Sequence, residues 1–257
     1  GTASSARAAF DLLVPRMPAL TRRRLRTHFA NVDPVMAALV DAAGPYRLRA
    51  VACPSPFRHL TQAIVSQQIS GRAAAAILGR FVALFGMDIA DKEFPTPESI
   101  LATDDSTLRS AGFSASKVAA VRDLAAKTLA GIVPDSATLQ LLPDRQIIER
   151  LTVVRGIGAW TVQMMLMFQL GREDVLPIND YGVRNGFRIA YRRRALPTPG
   201  ELQNYGERWA PYRSAAAWYL WRAVDLQKAG DASLKALPAA PRDGGARRRP
   251  RQGARTR

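Results

Sequence analysis

The most informative part of the sequence is LTVVRGIGAWTVQMMLMF, residues 151–168. It contains a Gly-x-Gly turn at Gly156 and Gly158, followed at once by an almost wholly apolar run typical of a buried helix. Glycine lacks a Cβ, so another backbone or a phosphate can come close to it. The first amides of the second helix lack partners inside the helix and lie at its positive end, which suits them to binding phosphate. An ordinary helix–helix turn would show the same pattern.

The sequence on both sides of this turn also predicts helices. Asp33-Pro34 is typical of an N-cap followed by a proline at the first helical position, and Gly44 is a terminator. Residues 116–130 are amphipathic with the helical period. There is no convincing run of alternating strand residues and no repeat of 20–50 residues. We therefore expect an all-α fold.

The composition points to a polyanionic partner. The chain has 257 residues, a net charge of +16 and 47% hydrophobic residues. Residues 238–257 carry seven arginines and one aspartate, a net +6, which leaves +10 on the rest. Such an excess favours nucleic acid as the partner, although simple solubility is the alternative.

Several classes of protein are excluded. Cys53 is the only cysteine, so the chain cannot form an intramolecular disulfide or hold an iron–sulfur cluster on four cysteines. His28 and His59 are too few for a histidine-rich metal centre. No apolar run reaches about 18 residues, and the first residues lack the layout of a signal peptide. We expect no membrane contact and a cytoplasmic, nucleoid-associated protein.

Residues 151–168 resemble the helix-hairpin-helix of the base-excision DNA glycosylase superfamily. Downstream, LPINDYGVRNG (176–186) is similar to the superfamily's proline–aspartate segment, with Asp180 twenty residues after Trp160. Other stretches resemble the alkylation-repair branch, typified by DNA-3-methyladenine glycosylase II: AIVSQQIS (63–70), FPTPE (94–98), AGFSASKVAAVRDLA (111–125) and YGERWAPYRSAAAWYLW (205–221). The resemblance covers roughly residues 55–225, and residues 1–54 look too short and too helical for that branch's strand-rich N-terminal domain.

The resemblance implies a two-lobed helical fold with the DNA cleft between the lobes. We expect residues 55–175 to form the lobe with the hairpin and 176–237 to form the second lobe. Residues 1–54 would pack on that second lobe, and 238–257 would be a disordered basic tail. It further implies a monomer without a cofactor, except for a Na⁺ or K⁺ ion at the hairpin. The backbone carbonyls of Thr152, Val154 and Ile157 would bind that ion.

Asp180 is the candidate catalytic carboxylate. Cleavage of an N-glycosidic bond builds positive charge on the sugar, which a fixed carboxylate stabilises while it also orients or deprotonates a water. The resemblance gives Asp180 this role. The alternative is a helix N-cap ahead of Tyr181, and the two roles are compatible.

Trp160 occupies the hairpin position where strand-cutting members of the superfamily carry a Schiff-base lysine. The resemblance therefore implies a monofunctional glycosylase. An aromatic face stacks well on an electron-poor, positively charged base, so Trp160 is a candidate for the base pocket, with Tyr181, Trp221 and Met164. Ordinary core packing is the alternative for each of them.

The same resemblance implies further contacts with DNA. Gln68 would fill the gap left by the flipped base. Gly156, Gly158 and Thr161 of the hairpin would contact the backbone, and Arg213 is a candidate phosphate contact. Lys117 is a second plausible phosphate contact, and solvated surface is the alternative for both Arg213 and Lys117.

The sequence thus predicts a monofunctional DNA glycosylase that removes damaged bases, chiefly alkylated purines, from double-stranded DNA in base excision repair. The alternative is a non-catalytic DNA-binding protein on the same scaffold. Trp160 disfavours a bifunctional lyase, and the single cysteine excludes an iron–sulfur glycosylase.

Overall fold

The computed structural model describes residues 21–51, 55–88 and 93–239. Within these ranges all regular elements are helices and there is no strand, which confirms the all-α prediction. Cys53 and residues 240–257, most of the predicted tail, lie outside the described residues. No helix of the described ranges has the length and apolar character needed to cross a bilayer.

The helices follow one another with short connections. They are α1 (Arg22–Val32), α2 (Pro34–Ala43), α3 (Pro56–Ser66), α4 (Gly71–Ala83), α5 (Pro97–Ala102), α6 (Asp105–Ser110), α7 (Ala115–Leu129), α8 (Ser136–Leu141), α9 (Asp144–Leu151), α10 (Ala159–Phe168), α11 (Tyr181–Ala190), α12 (Pro199–Gly206) and α13 (Arg213–Lys228). Short 3-10 helices cover Glu207–Trp209 and Ala232–Ala236.

Helix α2 shows how local sequence sets the helix ends. Oδ1 of Asp33 accepts hydrogen bonds from the amides of Val35 and Met36 at 3.1 and 3.2 Å. Pro34 lies in the first turn, where its missing N–H costs nothing. Gly44 ends the helix with a φ of 78°, which glycine adopts without strain. The predicted start and end of this helix are therefore confirmed.

The chain divides into two compact units. The described part of the first contains residues 21–47, 181–210 and 215–239, and the second contains the described residues of 48–180 together with 211–214. The domain boundaries and the DNA cleft expected from the sequence stay predictions.

A buried carboxylate organises the first unit. Oδ2 of Asp33 accepts hydrogen bonds from the Tyr191 hydroxyl at 2.6 Å and from Nε1 of Trp209 at 2.8 Å. Burial, and next the charge of Asp33, raises the pKa of Tyr191 well above its ordinary value. On α11, Gly186 lies against α13, where a Cβ would overlap the carbonyl group of Leu220. Glycine at this position therefore lets α11 and α13 cross closely.

Helix α7 runs through the second unit and packs against α3, α5 and α6. Its apolar face carries Val118, Val121 and Leu124, all buried. Helices α9 and α10 pack against each other as a helical hairpin. The turn between them is tied to α7 by a hydrogen bond from the Arg155 amide to Oδ2 of Asp123, at 2.7 Å. Helix α7 is thus the support on which the hairpin turn rests.

Candidate active site

The hairpin turn spans residues 152–158, between the end of α9 and the start of α10. Gly156 has a φ of 80°, the left-handed region that favours glycine. Gly158 is the N-cap of α10, and no side chain caps the helix there. A Cβ added to Gly158 would meet no atom of the described chain within 4 Å. Gly156 therefore serves the turn itself, while Gly158 leaves open space at the positive end of α10.

The structure brings together the two residues that the sequence singled out for chemistry. Nε1 of Trp160, in the first turn of α10, donates a hydrogen bond to Oδ2 of Asp180 at 2.9 Å. Trp160 keeps 47% of its surface exposed, a large fraction for a tryptophan. Its ring is therefore both a partner for the carboxylate and an accessible aromatic face.

The backbone before Asp180 is held in tight turns. The amide of Asp180 donates to the carbonyl of Pro177 at 2.9 Å, and the amide of Ile178 donates to the carbonyl of Leu176 at the same distance. Pro177 itself has a fixed φ. These constraints and the indole N–H together fix the position and the orientation of the Asp180 carboxylate.

The other predicted pocket residues have different environments. On α10, Met164 is half-buried and Thr161 is buried, so the Thr161 side chain is part of the core. In the first unit, Tyr181 at the start of α11 is 67% exposed and Trp221 on α13 is half-buried. A base pocket that includes Met164, Tyr181 and Trp221 stays a prediction.

The loop between α3 and α4 contains Gln68, which is predicted to fill the gap left by the flipped base and is called the plug below. Gln68 is exposed and has a φ of 60°, which is uncommon for a residue with a Cβ. Its neighbour Gln67 ends α3 and donates from Nε2 to the carbonyl of Gly156 at 2.8 Å. Nζ of Lys117 donates to the carbonyls of Val65 and Gln67 at 2.7 and 3.1 Å. The Lys117 ammonium thus binds backbone carbonyls of its own chain, a role that the sequence analysis missed.

Asp123 is a second residue that sequence reasoning missed. Besides the Arg155 amide, its carboxylate accepts from Nζ of Lys127 at 2.6 and 2.7 Å. Burial acts to raise the pKa of Asp123, but these donors outweigh it and hold the pKa below its ordinary value. The only sequence signal was the i, i+4 pairing of Asp123 with Lys127, which gives no hint of the contact with Arg155.

Arg213 forms a bidentate ion pair. Its Nε and Nη2 lie 2.7 and 2.8 Å from the two carboxylate oxygens of Asp174. Burial opposes the effect, but the Arg213 guanidinium lowers the pKa of Asp174. The contact of Arg213 with DNA stays a prediction. The structure shows in addition that Arg213 pairs with Asp174.

The turn also offers backbone oxygens to a cation. Among the described residues, the carbonyls of Thr152 and Ile157 accept no backbone hydrogen bond, while that of Val154 accepts one from the Ile157 amide at 3.0 Å. Carbonyl oxygens with spare lone pairs suit a hard cation. The described chain holds no group of three His, Cys, Asp or Glu side chains that could bind a metal ion.

The first amides of α10 are thus open to a phosphate, and Trp160 in the first turn of the same helix holds the Asp180 carboxylate. Residues 61–211 match the model of the HhH-GPD superfamily of base excision DNA repair proteins. The chain belongs to this superfamily.

Individual relatives agree with this assignment. The chain is 38% identical over 200 residues to DNA-3-methyladenine glycosylase 1 of Schizosaccharomyces pombe, covering 77% of this chain and 86% of that protein. The solved structure of the S. pombe 3-methyladenine DNA glycosylase in complex with abasic DNA matches with a TM-score of 0.67, over 77% of this chain and 95% of that chain. DNA-3-methyladenine glycosidase from Bacillus halodurans, 33% identical, matches with a TM-score of 0.71 over 82% and 93%.

Proposed function

We propose that the chain is a monofunctional DNA glycosylase that hydrolyses the N-glycosidic bond of alkylated purines flipped out of duplex DNA. The observation that carries the proposal is the hydrogen bond between Trp160 and Asp180, which fixes a carboxylate beside the exposed aromatic ring of the hairpin. The names of the two similar proteins, and the abasic DNA bound to one of them, support the choice of substrate.

Asp180 supplies the negative charge that the reaction needs. As the glycosidic bond lengthens, positive charge develops on the sugar, and a fixed carboxylate stabilises that charge without having to reorganise. The same carboxylate orients and deprotonates the water that attacks the anomeric carbon. An alkylated purine such as 3-methyladenine is already cationic and leaves readily, so the site needs no separate general acid.

Trp160 supports both the proposed substrate and the proposal that the protein does not cut the strand. Its exposed face stacks on a positively charged base, and Met164, Tyr181 and Trp221 are further candidates for contacts with the base. Helix α10, Ala159–Phe168, contains no lysine, and an indole cannot form the Schiff base that strand cleavage requires. The product is therefore an abasic site in an uncut strand.

The DNA is held chiefly through the hairpin. The open space at Gly158 lets a phosphate reach the first amides of α10, including that of Thr161, and Gly156 sets the turn that presents them. Gln68 occupies the gap left by the flipped base, and Arg213 contacts a phosphate while paired with Asp174. A protein with this substrate works on intracellular DNA, at the nucleoid.

A monovalent cation fits the hairpin turn. The Thr152, Val154 and Ile157 carbonyls would hold Na⁺ or K⁺, since two of them accept no backbone hydrogen bond in the described chain. The ion would add positive charge where the DNA backbone approaches. The reaction needs no other cofactor.

The test is base release from duplex DNA methylated at purines. We expect free 3-methyladenine or 7-methylguanine, strands that break only after alkali treatment, and no covalent adduct on borohydride reduction. A trapped adduct would overturn the monofunctional assignment. Binding without release from methylated, etheno or deaminated DNA would favour the non-catalytic DNA-binding protein.

A further inference from the structure

We infer that Lys117 is a positioning residue for Gln68, and that helix α7 links the loop carrying Gln68 to the hairpin turn. The inference rests on the proposed role of Gln68 as the plug. Gln68 is held in place in this way before DNA binds.

The backbone at Gln68 needs support. A φ of 60° brings the Cβ of an L-residue close to the following carbonyl, so glycine is the residue that adopts this conformation without cost. Position 68 nevertheless carries a long side chain, and that side chain is exposed. A strained conformation of this kind persists only where the surroundings hold it in place.

Lys117 stabilises the backbone next to Gln68 through two hydrogen bonds. Its half-buried ammonium donates to the carbonyl of Val65, in the last turn of α3, and to that of Gln67, the residue just before Gln68. Carbonyls at the end of a helix lack partners inside the helix and lie at its negative end, so a cation binds there favourably. Lys117 therefore pins the loop on the N-terminal side of Gln68.

The same loop is tied to the hairpin. Nε2 of Gln67 donates to the carbonyl of Gly156, whose left-handed φ turns the chain toward α10. The hairpin in turn rests on α7 through Asp123 and the Arg155 amide. Lys117 and Asp123 lie six residues apart on α7, at successive i, i+3 steps along the helix through Ala120. Ala120 itself faces Gly156, where its Cβ would lie 3.4 Å from an added Cβ.

Two side chains of α7 with opposite charges, Lys117 and Asp123, thus bind two different segments. A cation binds the carbonyls beside the plug, and an anion binds an amide of the hairpin turn. The consequence is that Gln68 keeps a fixed placement relative to the phosphate-binding turn. If Lys117 had a purely structural role, its loss would lower the stability of the fold, whichever residue stood at position 68.

A double-mutant cycle separates these two roles. The variants are Lys117→Met, Gln68→Ala and the pair, with Lys117→Arg as the conservative replacement and Lys228→Met as a control that removes an exposed charge elsewhere. The readout is 2-aminopurine fluorescence in a duplex that carries this base opposite a tetrahydrofuran abasic analogue. This signal reports insertion of the plug and requires no base release.

We expect Lys117→Met to weaken the insertion equilibrium about tenfold in the wild-type background and less than about twofold in the Gln68→Ala background. Lys117→Arg restores most of the signal, and Lys228→Met does not change it. Equal losses in both backgrounds would overturn the positioning role, and so would an unchanged signal in Lys117→Met. If wild type itself gives no signal, Gln68 does not act as the plug, and the positioning role of Lys117 is overturned with it.

A second variant, Gln67→Ala, tests the same link if Lys117→Met unfolds. Gln67→Ala removes only the side-chain bond to Gly156 and leaves the fold's core untouched. We expect it to weaken insertion about threefold to fivefold, again only when Gln68 is present. An effect of Gln67→Ala that is independent of Gln68 would contradict the link between loop and hairpin.

Discussion

The indole N–H of Trp160 donates to Oδ2 of Asp180 across twenty residues of chain, at 2.9 Å. This bond makes the carboxylate part of the hairpin's own structure. Base release should therefore depend on the Trp160 indole as well as on the Asp180 carboxylate.

Trp160→Phe keeps an aromatic face but removes the N–H. Because a hydrogen bond to a charged group contributes about 1.5–3 kcal/mol, we expect single-turnover base release to slow about tenfold to a hundredfold. Binding to abasic DNA should change little, since the carboxylate does not hold the duplex. Trp160→Ala should be slower still because stacking is lost too. A Trp160→Phe variant as fast as wild type would contradict the orienting role.

The two glycines of the hairpin should respond differently to alanine. Gly156→Ala forces a side chain into the left-handed region and should lower the free energy of unfolding by about 1–2 kcal/mol. Gly158→Ala has space and an ordinary φ of −97°, so its stability should be near that of wild type. Its dissociation constant for abasic duplex should nevertheless rise about tenfold, because the new methyl group faces the phosphate that binds the α10 amides. Urea unfolding measures the free energy of unfolding, and fluorescence anisotropy measures the dissociation constant. Binding by Gly158→Ala as tight as that of wild type would show that no phosphate binds at this site.

Acid should weaken the second unit through Asp174. Its pKa is lower in the folded chain than its ordinary value near 3.8, so the ion pair with Arg213 stabilises the fold above that value. The contribution disappears as the pH falls through the lower, folded-state pKa. The midpoint of urea unfolding should therefore fall less steeply between about pH 5 and pH 3 in Asp174→Asn than in wild type. Identical slopes would show that the pair does not contribute, and Asp105→Asn is a control for an exposed carboxylate of the same unit.

Asp33 should be the most sensitive aspartate of the first unit. It is fully buried and accepts from two backbone amides, Tyr191 and Trp209. Asp33→Ala leaves these donors without an acceptor and should lower the free energy of unfolding by about 3–5 kcal/mol. Tyr191→Phe removes a single donor and should cost about 1 kcal/mol. Comparable losses in the two variants, measured by urea unfolding, would contradict the shared network.

Local sequence signals predicted much of this structure. Asp33-Pro34 and Gly44 mark the ends of α2, because a cap needs only neighbouring residues. The Gly-x-Gly turn likewise marks the hairpin. The register between hairpin and aspartate, taken from the family resemblance, pointed to Trp160 and Asp180 as parts of one site.

Contacts between distant segments were beyond the sequence. Lys117 reaches carbonyls some fifty residues away, and Gln67 reaches Gly156 across 89 residues. Neither contact has a periodic or motif signal, because the partners are backbone atoms that every residue possesses. Arg213 looked like a candidate phosphate contact for the same reason: its charge is visible in the sequence, but its pairing with Asp174 is not.

Single-turnover release of 3-methyladenine from one defined duplex by wild type and Asp180→Asn tests directly whether Asp180 is the catalytic carboxylate. Asparagine preserves the size of the side chain and an oxygen that accepts from Trp160, but removes the charge. For Asp180→Asn we expect a rate at least about a hundredfold lower and unchanged binding of abasic duplex. For Asp105→Asn we expect wild-type behaviour. Base release by Asp180→Asn at the wild-type rate would contradict the assignment of Asp180 as the catalytic carboxylate.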